Sequence, residues 1–509
     1  MKKYLIIAIA IAAFCISGVA YALDVSVDGE IAVRGRYSEN GPGAGANYYY
    51  PGTAPNINQF NGLANSHANG DNEHVTYTRF VLDINVQGDG VRGKLALMND
   101  WNLWGADGNR GAMDKWEGYC GMAGSGDSSA AGAGPTYGAG GTSAGCGSTA
   151  YIREAWIDFI VPGTPIGVKA GRMLGQLGNG WFLMSEYGGQ DAWVLYGDIG
   201  KVAQVGLQDV KLSSGTVYAY ASATGALSLV TNKANGEADL YTLFAVAKPS
   251  DTATISFDLS YLHDNAGVIM AGLAAPTTPP GFAIPNASGN LWNLGMSWNV
   301  KAGPVFIKGE VDGQQGSLQQ APGRVGGNID YSGYQGIIQA YIPVGIVTVD
   351  LGAAYGSGNR PGSSNHGEVV TMLDINQHYT YLYEYRTKNA GTLGQDSGLE
   401  NTMFLEGGVM VQVSKSVAVG FDTFWLGATE LAALNGNPAK SHDIGVETDA
   451  KINWQIYPNL SLQTQLAWLA TGAAYRTTNS STIGNNVQSG TGGYMDDMYG
   501  IQSVLKLTF

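Results

Sequence analysis

The feature that most constrains this chain is a two-residue period that recurs along almost its whole length and runs into the last residue. In 499–509 alternate positions hold Tyr499, Ile501, Ser503, Leu505, Leu507 and Phe509, while the other register holds Gln502, Lys506 and Thr508. That is strand periodicity with one apolar face. Nothing follows Phe509 to cap the strand, so the strand is expected to find a neighbour on both edges. The segment 442–457 repeats the pattern: Ile444, Val446, Thr448, Ala450, Ile452, Trp454 and Ile456 alternate with Gly445, Glu447, Asp449, Lys451, Asn453 and Gln455. After Pro458 and Asn459 it returns with Leu460, Leu462, Thr464, Leu466 and Trp468 on one side and Ser461, Gln463 and Gln465 on the other. Such a hairpin is dry on one face and wet on the other along its full length.

Similar segments fall at about 24–37, 74–87, 90–98, 150–161, 165–173, 190–197, one within 202–223, 239–248, 252–264, 290–301, 303–314, 334–343, 345–356, 401–413, 416–428, 442–457, 459–471 and 499–509. The region 198–223 holds two candidate strands, 202–212 and 214–223, and even parity favours counting one. Short connections alternate with long ones, the long ones being about 38–73, 99–149, 265–289, 357–400 and 472–498. An even set of antiparallel strands with short turns at one end, long loops at the other and a polar inner register describes an all-β transmembrane antiparallel barrel, of 16–18 strands and most simply 18, with short periplasmic turns and long extracellular loops. Closure by pairing the last strand with the first leaves no open edge. Trp292, Trp298, Trp425, Trp454, Tyr457 and Trp468 lie near strand ends, where interfacial aromatic girdles are expected.

The N-terminus supports export. Lys2 and Lys3 precede an apolar run from Tyr4 to Val19 and the small-residue pattern at Ala20 and Ala22, so residues 1–22 read as a signal peptide and 23–509 as a single barrel domain. Gly 75 and Tyr 28 with only 13% charged residues would be unusual for a soluble exported enzyme. The net charge of −14 argues against nucleic acid as a partner. No GxSxG elbow, HExxH pair, haem-attachment motif or phosphate-binding glycine loop occurs, and the six histidines show no ligand spacing, so neither an enzyme nor a cofactor is expected.

Two resemblances add to this reading. The strand ending in Phe509 resembles the terminal signal by which the outer-membrane assembly machinery recognises its clients. The segments 150–159 (AYIREAWIDF), 168–183 (VKAGRMLGQLGNGWFL) and 191–196 (DAWVLY), with the acidic strand and hairpin at 444–472, are similar to alginate-export-like and related 18-stranded porins. The resemblance implies the outer membrane of a Gram-negative bacterium and a water-filled channel for passive diffusion of ions and small hydrophilic solutes, with small anions, organic acids or sugars preferred. It implies contact with outer-membrane lipid and lipopolysaccharide, and leaves monomer and homotrimer both open. The alternative is a structural or conduit barrel that sleeves a periplasmic partner or presents an adhesive surface.

The inner registers carry the candidate site. Early strands would place Arg79, Asp83, Arg92 and Lys94 in the lumen, with Arg34 and Arg36, and with Arg172 if its register is the inner one. Later strands would place Asp258, Lys308, Glu310, Asp312, Glu406, Asp422, Glu447, Asp449 and Lys451 there. A basic wall would then face an acidic one, giving a transverse field across the pore. Charges that merely pair with neighbours and hold the wall in shape are the other reading of the same residues. In the loops, Cys120 and Cys146 are expected to form a disulfide tethering the glycine-rich segment 99–149, a candidate constriction. The alternate tyrosines Tyr379, Tyr381, Tyr383 and Tyr385 suggest a strand extended above the membrane or a surface on which sugars stack.

Overall fold

The computed structural model describes residues 24–39, 73–103, 150–185, 189–214, 218–220, 227–228, 237–265, 282–283, 288–319, 328–360, 365–372, 379–386, 398–431, 433–434, 437–438, 441–475 and 497–509. Residues 1–23, on which the signal-peptide expectation falls, Cys120, Cys146 and most of the long connections named above lie outside the described residues.

Eighteen antiparallel strands form the wall. They are β1 (Asp24–Glu39), β2 (Glu73–Gly88), β3 (Val91–Leu103), β4 (Tyr151–Ile160), β5 (Ile166–Met173), β6 (Gln190–Ile199), β7 (Ala203–Ser214), β8 (Glu237–Ser250) and β9 (Ala253–Asp264). The second half runs β10 (Ser288–Ala302), β11 (Val305–Gln319), β12 (Tyr334–Val344), β13 (Val347–Gly356), β14 (Thr402–Gln412), β15 (Val417–Ala428), β16 (Asp443–Tyr457), β17 (Leu460–Thr471) and β18 (Met498–Thr508). Each pairs with its sequence neighbours, and β18 pairs with β1 from Glu30 opposite Thr508 to Glu39 opposite Tyr499. The terminal residue completes the seam, because Phe509 and Gly29 exchange two backbone hydrogen bonds of 2.9 and 3.1 Å. Closure therefore supplies the second neighbour that the C-terminal strand needs. Within 202–223 the barrel strand is β7, whereas Tyr218–Tyr220 belongs to a separate three-stranded sheet with Leu227–Ser228 and Phe282–Ala283.

Turn chemistry fixes the register at the short end. Gly90, at φ 71°, closes the β2–β3 turn after Asp89, a conformation that a side chain would strain. Directly paired residues share a face, so one register assignment propagates around the whole wall. The outward rows are apolar and exposed: Leu195, Leu207, Leu243, Leu259 and Leu294 follow one another across β6–β10. Trp292, Trp425, Trp454, Tyr457 and Trp468 also face outward, as expected of a lipid-contacting belt.

The inner face is not bare. Two connections turn into the barrel at its long-loop end, one at 174–185 after β5 and one comprising 365–372, 379–386 and 398–401 between β13 and β14. They meet each other: Met372 N–H donates to the Phe182 carbonyl at 2.7 Å, and the Trp181 and Tyr379 ring centroids lie 6.1 Å apart. Phe182, Leu183, Val370 and Met372 are buried against inward residues of the wall such as Leu240, Leu262 and Leu291, and Trp181 joins a second cluster with Ile337, Phe404 and Phe424. Tyr379, Tyr381 and Tyr383 are buried as well, and Tyr383–Arg386 forms one helical turn. This corrects both expectations for the tyrosine row, which is neither a raised strand nor an open stacking surface. Tyr379 instead stacks on Phe404 of β14 with centroids 4.6 Å apart.

Candidate pore interior

On β1–β5 the inward positions carry Arg34, Arg36, Arg79, Arg92, Lys94 and Lys169, and acids stand beside most of them. Arg92 pairs with Asp158 at 2.5 Å, and Asp158 also accepts a 2.7 Å hydrogen bond from the Tyr196 hydroxyl. Lys94 bridges Asp83 at 3.1 Å and Glu154 at 2.7 Å. Arg79 lies 3.9 Å from Glu30. The guanidinium carbons of Arg34 and Arg36 lie 5.3 and 5.6 Å from the Tyr77 ring centroid, and the Lys169 ammonium lies 3.9 Å from that of Trp156. The inward cations are therefore largely compensated at short range by acids of the same strands, as in the pairing alternative.

Arg172 corrects the sequence reading. Lys169 is the inward member of β5, and three residues on, the pleat turns Arg172 to the other face. There it meets Asp191 at 3.3 Å, on the register of the exposed Trp193 and Leu195. Arg172 therefore stands on the outside of the barrel, and Lys169 takes the inner place. Period-two spacing from Lys169 fixed the relation between the two residues, but β5 carries too few apolar residues to say which register was the dry one.

The later strands are acidic inside. Asp258 of β9 and Asp312 of β11 share Asn293, whose amide donates to them at 3.3 and 3.1 Å. Lys451 of β16 pairs with Asp422 of β15 at 2.6 Å, and Lys308 of β11 lies 5.6 Å from the Tyr341 ring centroid. Gln339 donates to Glu406 at 3.1 Å, and Gln465 to Asp449 at 3.2 Å.

Two of these acids hold the inward segments. Glu310 accepts backbone N–H groups from Asn179, from Trp181 at 3.0 Å and from Phe182 at 3.2 Å. Glu447 does the same for Tyr381, Leu382 and Tyr383, at 2.8, 2.5 and 2.8 Å. Between them Gln314 makes a two-way bond to Val370, donating to its carbonyl and accepting from its N–H, both at 2.7 Å. Carboxylates in such positions satisfy backbone donors that the barrel interior would otherwise bury without partners. Glu310, Asp312, Glu447 and Asp449 thus face inward yet lie buried beneath the segments. The expectation that they line the channel missed this covering layer. Gln314 was legible in principle, because it continues the inward series of Glu310 and Asp312 at period two. The partner segments carry no such period.

What remains open lies toward the short-turn end. A cavity of about 800 Å³ is lined by Asp28, Glu30, Arg79, Asp83, Arg153 and Lys506, among others, from β1, β2, β4 and β18. Its ionisable side chains are of both signs and none belongs to the segment-holding set.

No protein-family model matches the chain, and no curated protein does. Among solved structures, the chain is similar to OccK9 (OpdG) of Pseudomonas aeruginosa, at 12% identity, TM-score 0.50, with 96% of this chain and 98% of that one covered. OccK11 (OpdR) of the same organism matches at 9% identity and TM-score 0.48 over 95% and 96% of the two chains. An anion-selective porin from Comamonas acidovorans matches at 11% identity and TM-score 0.40 over 96% and 100%. The likeness is one of fold, a closed 18-stranded antiparallel β-barrel with an apolar exterior.

Proposed function

We propose that this barrel is a water-filled channel through which ions and small hydrophilic solutes diffuse passively, with small anions, organic acids or sugars favoured. The observation that carries the reading is the uneven filling of the interior. Inward segments cover the acidic side, while Arg79, Asp83, Arg92 and Lys94 on the basic side stand along the uncovered part. A solute threading the lumen then passes between these residues and the surface of the docked segments, and the local balance of the charges it meets there sets its charge preference. The residues beneath the segments, Glu310 and Glu447 above all, fix the bore rather than touch the solute. Asp258, Asp312, Lys308, Asp449 and Lys451 contribute to the field from the covered side.

A sleeve around a periplasmic protein is disfavoured, because the docked segments occupy interior that such a partner would fill. The deciding experiment is single-channel conductance of the refolded protein in a planar bilayer, with reversal potential under a salt gradient. Stable steps with a measurable ion preference are expected. A correctly folded, heat-modifiable barrel that never conducts would overturn the channel reading.

A further inference from the structure

The inner wall of β4–β8 carries aromatic side chains where a water-filled bore calls for polar ones. Trp156 on β4, Tyr196 on β6 and Phe244 on β8 stand on the inward register of Lys94, Asp158 and Lys169, one on every second strand. Trp156 is already engaged, because it packs against the cluster beneath the docked segments and carries the Lys169 ammonium on its ring. Tyr196 and Phe244 join neither buried cluster and are half-buried.

Both rings lie against glycines. Gly167 is the cross-strand partner of Tyr196, and a methyl group there would collide with Cε1, Cε2 and Cζ together, so the ring sits face down on the backbone. Gly206 is the partner of Phe244, and a methyl group there would meet that ring in the same way. Glycine inside a strand marks such a close approach. The Tyr196 hydroxyl, donating to Asp158 at 2.7 Å, fixes its ring in place, with the free face toward the lumen. The inward positions on either side are polar. Toward the long-loop end stands Gln208, whose side-chain amide has no hydrogen-bond partner among the described residues. Toward the short-turn end Gln204 donates to Asp198 at 3.1 Å.

We propose that this strip is a subsite for a neutral sugar. The inference rests on the channel reading and narrows its solute classes to one. A pyranose lays its C–H face on Tyr196 or Phe244 while its hydroxyls bond Gln208 on one side and the Gln204–Asp198 pair on the other. A rigid, flat ring matches the apolar face of a sugar. Amide and carboxylate groups offer the donors and acceptors that hydroxyls need. An anion gains less here, because Arg92 is held by Asp158 and Lys94 by Asp83 and Glu154, so the anion must displace a wall carboxylate to reach either cation.

The test is transient block of the single-channel current of the refolded full-length protein by maltotriose, set against polyethylene glycol of equal mass, and by glucose set against glucuronate. Saturable block by maltotriose is expected where polyethylene glycol gives none, and glucose should bind at least as tightly as glucuronate. Y196A and F244A should each weaken the block by a factor between about two and ten, whereas Y196F, which keeps the ring, should retain most of it. Equal block constants in wild type, Y196A and F244A would reduce the rings to packing on glycine and overturn the proposal. Tighter block by glucuronate would overturn it in favour of the cations. A barrel that conducts but treats maltotriose and polyethylene glycol alike overturns this inference and leaves the channel reading standing, whereas a folded barrel that never conducts removes both. Should the alanine variants fail to give a heat-modifiable barrel, F244L, which keeps apolar volume without a flat face, carries the same comparison.

Discussion

The walls β1–β5 and β11–β16 are built from the same pleat and both place charge inside, yet they use that charge in opposite ways. On β1–β5 an inward charge meets an opposite charge or an aromatic face on its own or a nearby strand: Arg92 with Asp158, Lys94 with Asp83 and Glu154, Lys169 over Trp156. On β11–β16 Glu310 and Glu447 meet no cation among the described residues; each meets three backbone N–H groups of a segment more than sixty residues away in the chain. The first arrangement leaves a wall that solvent and solute can reach. The second converts the wall into a socket for the chain itself. Charge inside a barrel thus does not by itself define a pore lining, and the partner of each charge decides.

The largest effect is expected where a socket is emptied. Glu447→Ala leaves three buried donors at residues 381–383 unpaired, a loss on the order of 3–5 kcal/mol of docking. The segment should leave the wall. Single-channel conductance should rise, and hydrogen exchange at 379–384 should accelerate, while the barrel stays heat-modifiable. Glu447→Gln keeps a carbonyl acceptor and should fall between the two. Unchanged conductance and exchange in Glu447→Ala would remove the distinction between the walls. Glu310→Ala should act in the same direction through residues 179–182, with a smaller effect. Gln314 still holds the neighbouring segment at Val370, and that segment pairs with Phe182 and Met184.

The same contrast explains what the sequence could and could not reveal. The barrel was legible because strand pairing repeats one rule: alternate residues share a face, and lipid demands that one face be apolar. The ion pairs of β3 and β4 were half-legible. Glu154 and Asp158 flank Trp156 at period two in the inner register, but nothing in either strand says that Lys94 and Arg92 stand across from them. The sockets were not legible. Residues 174–185 and 379–384 present backbone N–H groups, which every residue but proline has, so no side-chain pattern advertises the docking. Tyr379, Tyr381 and Tyr383 even imitate a strand, because a segment packed by burial can show alternation without pairing.

A second way to loosen the covered side is pH. Glu400, in the connection before β14, accepts from the Thr371 N–H at 3.3 Å and from its hydroxyl at 3.0 Å, so it ties 398–401 to 365–372. Burial lifts its carboxyl to about 7, and burial beside Glu400 lifts that of Glu368 well above the usual range. A carboxyl raised by folding stabilises the docked form fully below its unfolded value near 4.5, and that contribution is lost as pH rises through the folded value. Hydrogen exchange at 365–372 and 398–401 should therefore quicken between about pH 5 and 8, faster than at the strands of β1–β5. Glu400→Gln should flatten the dependence. A profile identical in wild type and Glu400→Gln would rule out this pair as its source.

The smallest expected effect sharpens the comparison from the other wall. Arg92 is 58% exposed on its side chain, whereas its partner Asp158 is nearly covered at 6% and keeps the Tyr196 hydroxyl as a second donor. Removing a half-exposed partner costs little stability, roughly 1 kcal/mol or less, so Arg92→Ala should fold and conduct as the wild type does. What should change is sign. With Arg92 gone, the uncovered part of the lumen loses one positive charge while Asp158 keeps its negative one, and the reversal potential under a salt gradient should move toward cations. Asp158→Asn should move it toward anions, and the double variant should return near the wild-type value if the two charges act as a pair. A shift in Arg92→Ala that the double variant does not reverse would mean that Arg92 acts on the solute directly and its pairing with Asp158 is incidental.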